Sequence, residues 1–200
     1  MRHLKMLGLA VVVSAALTAM GEAGTASATT LCTTADSPGC TMAYTSGTTI
    51  DLSLIHRGTA GLTSPAGTTI LTCSESIIKG KITQTSGTWI EVDLEALTWG
   101  QCSLIVDTVV NGKLSVMWTS ETIGEVVGEG TEVTTVIGGV SCVYTFGEGI
   151  KLGTIAGSSE PTLKIETKIK KAEGSFVCPV EPTMDAEYVL TEPHALFVVN

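Results

Sequence analysis

Glu91, Asp93 and Glu95 are the residues of this chain whose types and spacing best suit chemistry. On an extended strand, alternate side chains leave one face about 6.5–7 Å apart. Carboxylates so spaced could serve glycoside hydrolysis as an acid and a nucleophile or base. Their oxygens could also ligate Ca²⁺. A plainer reading explains the same residues. An amphipathic strand needs a polar wet face, and these acids alternate with Ile90, Val92, Leu94 and Ala96. In that reading the acidic row could face Lys164, Lys168 and Lys170 on a neighbouring strand, where opposite charges favour register. A second acidic set, Glu121, Glu125, Glu129 and Glu132, is interspersed with glycine. It lacks the EF-hand spacing and the aspartates of Gly-rich nonapeptide repeats, so residues 124–130 read as an acidic solvated loop or a distorted sheet edge.

Other reactive constellations are missing from the sequence. Beyond residue 28 the histidines are His56 and His194, without an HExxH or paired-His zinc spacing. Serine is plentiful, yet no G-x-S-x-G elbow occurs. No catalytic residue, cofactor or metal ligand is therefore assigned, and the chain reads as a non-enzyme. Trp89, Trp99 and Trp118 could form a sugar platform, but core packing or sheet-edge cover suits a chain with 4% aromatic residues better.

The cysteines define the setting. Residues 1–28 have the parts of a cleavable export signal: Arg2 and Lys5, an apolar run over 7–20, and Ala26-Ser27-Ala28 before the cut. The apolar run is shorter than the roughly 20 residues of a membrane-spanning helix. No later run reaches that length, so no transmembrane helix is expected in residues 29–200, which form a single secreted β-domain. Cys32, Cys40, Cys73, Cys102, Cys142 and Cys178 all follow the signal. An even cysteine count in an exported chain reads as disulfides. Six cysteines permit about 15 pairings, which sequence does not choose among. Chain order suggests 32–40, 73–102 and 142–178. Losing Arg2, Lys5 and Glu22 with the signal moves the formal charge from −9 to −10. Such a chain is a poor partner for nucleic acid or anionic lipid.

Next come the elements that must position these groups. Gly47-Thr48-Thr49-Ile50 recurs as Gly67-Thr68-Thr69-Ile70 and as Gly87-Thr88-Trp89-Ile90, which predicts regularly spaced turns. Period-2 alternation is clear for Leu163, Ile165, Thr167 and Ile169 against Lys164, Glu166, Lys168 and Lys170. Leu114 pairs in parity with Val116, and Tyr188 with Leu190. Asn111-Gly112 between two apolar runs predicts a tight hairpin. Leu196-Phe197-Val198-Val199-Asn200 reads as a closing strand. No segment after residue 28 shows a capped helical period. The fold expected is all-β, an antiparallel sandwich or closed barrel of about ten short strands.

Three short runs carry a resemblance: Ala96-Leu97-Thr98-Trp99-Gly100-Gln101-Cys102, Thr72-Cys73-Ser74-Glu75-Ser76 and Phe176-Val177-Cys178-Pro179. Together they resemble a group of small, secreted or cell-envelope, cysteine-containing β-proteins of actinobacteria that have no assigned activity. The resemblance implies export and a Thr/Gly-rich β-fold, and brings no site residues. The function expected is a non-enzymatic β-domain acting at the cell surface or extracellularly as a structural or binding protein, with its partner unknown. The alternatives are a barrel or sandwich binding a small molecule or lipid, an oligomeric envelope pore, and a glycoside hydrolase using Glu91, Asp93 and Glu95.

Overall fold

The computed structural model describes residues 28–35, 40–147 and 149–200. The expected export signal lies outside them except for Ala28, as do Pro38 and Gly39. The described residues form strands without helices. In chain order these are β1 (Thr30–Cys32), β2 (Thr49–Leu54), β3 (Ala60–Thr63), β4 (Thr69–Gln84), β5 (Ile90–Cys102), β6 (Val106–Ser120) and β7 (Ile123–Ile137). There follow β8 (Val140–Phe146), β9 (Ile150–Ala156), β10 (Thr162–Lys168), β11 (Lys170–Glu173), β12 (Thr183–Glu192) and β13 (Phe197–Val199). The all-β expectation holds, and of its two forms the closed barrel is the one built. Its wall includes strands of 13 to 16 residues, longer than the short strands expected.

The wall has eight positions. Going round, β4, β5, β6 and β7 are sequential antiparallel neighbours. Next to β7 sit β9 and β8, two pieces of one line, β8 ending at Phe146 and β9 beginning at Ile150. Then come β10 with its continuation β11, and β12. The last position holds β2 and β3, again one line broken by a loop, and both pair back to β4. A closed wall pairs most of its strand edges within itself. Its weakest seam lies between β5 and β6, which pair only over residues 90–93 and 113–116.

Alternation fills the interior. Ile78, Ile82, Ile90, Val92, Leu114, Val116, Leu163, Ile165, Met184, Tyr188 and Leu190 all point inward and are buried. The parities read from residues 114–116, 163–170 and 188–190 hold. That of β5 holds only to Leu94, because a register shift opposite Lys79 and Gly80 then turns Leu97 inward instead of Ala96. The three repeated glycines have positive φ (89°, 82° and 134°) and lead into β2, β4 and β5, so the regular turns are present. Among the described residues, two cavities of about 30 Å³ each lie inside, lined by apolar side chains such as Leu97, Phe146 and Met184, or Ile50, Val92 and Leu163. Each has room for about two water molecules.

Two sequence expectations are corrected. Asn111-Gly112 does not turn; β6 runs straight through it. The two residues oppose the single Gly130 of β7, a bulge in β6. Glycine is needed there because a Cβ on Gly112 would lie 2.0 Å from the Glu129 carbonyl oxygen. Residues 124–130, read as a loop or distorted edge, instead lie within a central strand of the wall. Gly124, Val126 and Gly128 face the interior, and the missing side chains of Gly124 and Gly128 leave room for Ile155 and Leu152.

The two ends of the barrel differ. At one end β1 pairs with β13, bearing out the closing strand, and Leu31, Leu196 and Val198 seal the interior. Thr29 stitches this floor down. Its amide donates to the Gly87 carbonyl at 2.6 Å, and its hydroxyl donates to the Thr88 carbonyl and accepts from the Trp118 amide, both at 2.9 Å. The opposite end, the rim, carries the turns at 64–68, 103–105, 138–139 and 174–182. Disulfides form between Cys32 and Cys40, Cys73 and Cys102, and Cys142 and Cys178, the pairing that chain order suggests.

Candidate functional site

With the interior full, the larger depressions lie on the outer wall. Two of them, each of about 390 Å³, meet at Glu129. One is lined by Trp89, Glu91, Ser115, Glu125, Val127 and Gly149 along with Gly128 and Glu129. The other runs from Asn111 and Lys113 to Thr145 and Gly147. They exist because β7 exchanges one partner for another here. Residues 123–128 pair with β9, residues 131–137 pair with β8, and the line of β8 and β9 is broken between them.

The charged groups of this surface are arranged by register. Lys81, Asp93, Lys113 and Glu129 are successive cross-strand partners on β4, β5, β6 and β7, a row of alternating sign. Lys113 Nζ lies 3.4 Å from Glu91 Oε2, and Lys151 Nζ lies 2.5 Å from Glu125 Oε2. Lys81 Nζ reaches Glu95 Oε1 at 2.6 Å. All these pairs are partly or largely exposed, where each contributes about 0–1 kcal/mol. Their main effect is to fix which way each carboxylate points.

The acidic row that opened the sequence reading is therefore not a convergent site. Glu91 is drawn toward β6 and Glu95 toward β4, so their carboxylates lean to opposite sides of β5. Asp93 stands between Lys81 and Lys113, with a buried Oδ1 that has no hydrogen-bond partner. Opposite charges do face the row across strands, but they are Lys81 and Lys113. Lys164, Lys168 and Lys170 lie on β10 and β11, across the barrel, because the topology inserts β6, β7 and β9 between.

The second acidic set is also dispersed. Glu121 sits in the β6–β7 turn with φ 48°, and its carbonyl accepts from Trp118 Nε1 at 2.9 Å. Glu125 and Glu129 line the outer groove, while Glu132 is exposed nearer the rim. No cluster of three or more His, Cys, Asp or Glu side chains able to hold a metal occurs among the described residues. His56 and His194 are exposed on separate loops. Trp99 and Trp118 pack against the core, and Trp89 alone borders the groove.

Lys113 and Lys151, which orient the groove carboxylates, escaped the sequence reading, as did the buried pair of Ser76 and Tyr188. These hydroxyls lie 2.9 Å apart inside the barrel. Burial pushes the Tyr188 phenol up to about 12, against a smaller opposite pull from the Ser76 hydrogen bond. Inward parity marks Tyr188 as a core residue, but nothing local to either residue names its partner.

No family model, curated protein or solved structure matches this chain. Its chemistry must be read from its own surface. That surface offers a shallow acidic groove with one aromatic flank. It can accept hydrogen bonds from a polar ligand and stack one ring or sugar face, and two of its carboxylates, Glu91 and Glu125, are engaged by Lys113 and Lys151.

Proposed function

We propose that the chain is an exported, non-enzymatic β-domain that acts at the cell surface or in the surrounding medium by binding through the outside of its barrel. The filled interior carries this reading. Cavities of about 30 Å³ hold no ligand, whereas small-molecule sites run to roughly 300–1,000 Å³. The same packing counts against a ligand-enclosing barrel and against a pore through the barrel. An outer face bearing Lys79, Lys81, Glu95, Lys164, Glu166 and Glu187 is not one to set in lipid hydrocarbon. Divergence of Glu91 and Glu95 counts against the hydrolase. Three disulfides with no free cysteine among the described residues are compatible with an oxidising compartment, and the resemblance to small secreted actinobacterial proteins agrees.

Protein recovered from the culture medium of the producing cells tests this. The expected N-terminus is Thr29, the native mass shows no retained ligand, and the labelled protein binds the isolated cell envelope. Trp89→Ala with Glu129→Gln weakens that binding at least fivefold while the melting temperature stays within about 2 °C. Reproducible turnover of a sugar polymer, a co-purifying small molecule, or an intact Met1 on cytosolic protein overturns the proposal.

A further inference from the structure

The rim carries a second feature, unrelated to the groove. Three turns stand side by side there. The Val136 amide donates to the Ile105 carbonyl at 3.3 Å, Val136 pairs with Ser141, and Gly174 packs against the Ser141 carbonyl. Ile105 and the 174–180 loop thus flank the β7–β8 turn, about 14 Å apart by strand spacing. Residues 103–105, 137–140 and 174–180 include no charged side chain, in a chain of formal charge −9. At their tips Phe176 is 96% exposed, Ile105 73% and Val180 65%.

The Phe176 tip is braced. Cys178 is tied to Cys142, and Lys171 Nζ donates to the Ser175 carbonyl at 3.2 Å and to the Cys178 carbonyl at 3.4 Å. The Lys171 amide donates to the Val180 carbonyl at 2.9 Å, and the Cys178 amide to the Ser175 carbonyl at 3.1 Å. The loop therefore holds a large apolar side chain outward in a fixed frame.

We propose that this rim docks on the interface of a lipid bilayer of neutral headgroups, with Phe176 inserted among the acyl chains and Ile105 and Val180 at the boundary. This goes beyond the function proposed above, naming a partner for a different face. Shape argues for lipid over a second copy or a folded partner. The exposed apolar side chains of Ile105, Phe176, Val177 and Val180 sit on separate loop tips. Between the tips lies the side-chain-free Gly138-Gly139 turn. A fluid interface closes round separate protrusions, whereas a protein partner needs a continuous complementary patch. Charge selects the headgroup. On the flanks Lys168, Lys170 and Lys171 are balanced by Asp107, Glu173 and Glu181, and the chain as a whole is acidic, so the rim has no net positive charge to hold anionic lipid.

Flotation of the disulfide-intact protein of residues 29–200 with phosphatidylcholine vesicles tests this. Binding is expected, at least tenfold weaker for Phe176→Ser with Val180→Ser, and no stronger on vesicles containing phosphatidylserine. The indole introduced by Phe176→Trp is expected to shift its emission to the blue on vesicles and to be quenched by brominated acyl chains. Both variants should melt like the parent, since the altered side chains are exposed. Absence of vesicle binding, equal binding by the double Ser variant, or an unshifted emission from the Phe176→Trp variant overturns the proposal. So does a Phe176-dependent dimer without lipid, which would assign the rim to a second copy.

Discussion

Tyr188 shows how a single buried hydroxyl ties stability to pH. Its phenol is held protonated to about 12 in the folded state, against an ordinary value of 10.0. Between these values the unfolded chain loses a proton that the folded chain keeps, so stability falls as pH rises from 10 toward 12. Two units correspond to about 3 kcal/mol. Burial raises Tyr44 and Tyr144 in the same direction, so Tyr188→Phe should reduce the alkaline loss without abolishing it. Urea melts across that range measure it; an unchanged slope in the variant would discount the assignment. At neutral pH Tyr188→Phe leaves the buried Ser76 hydroxyl without its partner and should cost about 1–3 kcal/mol. Adding Ser76→Ala should recover part of that loss, the sign of a true pair in a double-mutant cycle. The sequence showed Tyr188 in the correct parity with Leu190. It could not show Ser76, which is 112 positions away and becomes a neighbour only when the barrel closes.

Strands were legible wherever one face alternates cleanly. Residues 163–170 declare their faces because Leu163, Ile165, Thr167 and Ile169 share one side of β10 and the join to β11. Glycine was harder to read, since one residue type serves turns and close packing alike. Gly47, Gly67 and Gly87 are turn residues, whereas Gly112 is required by the approach of the Glu129 carbonyl, a contact absent from any local window. Likewise Glu125 and Glu129 looked like loop residues because the inward positions between them and beside them include glycine rather than a bulky apolar side chain. The groove they line is set by the exchange of β9 for β8, which is a property of topology. Backbone approach predicts how such glycines respond to substitution. A Cβ on Gly153 would fall 1.8 Å from the Lys164 carbonyl oxygen, so Gly153→Ala must part β9 from β10 and should cost about 3 kcal/mol. On Gly128 the nearest atom is Leu152 Cδ1 at 2.5 Å, the end of a side chain that can turn aside, so Gly128→Ala should cost about 1 kcal/mol. Equal losses in denaturant melts would contradict this ordering.

At the scale of the molecule, three crosslinks brace a wall that is already closed. Cys142–Cys178 spans 36 residues and Cys32–Cys40 spans 8. Chain entropy assigns about 4 kcal/mol to the first and about 2.5 kcal/mol to the second. Replacing each pair by serine should therefore lower the denaturation midpoint more for 142–178, and a larger loss for 32–40 would show that the floor matters more than loop length. The floor has a further consequence for how the molecule is made. Its two strands, β1 and β13, come from distant parts of the chain. A polypeptide emerging amino end first must keep residues 30–32 waiting until residues 197–199 follow. Until then Leu31 has only its local partner, the Tyr44 amide that donates to its carbonyl at 2.9 Å, and the floor lacks its second strand.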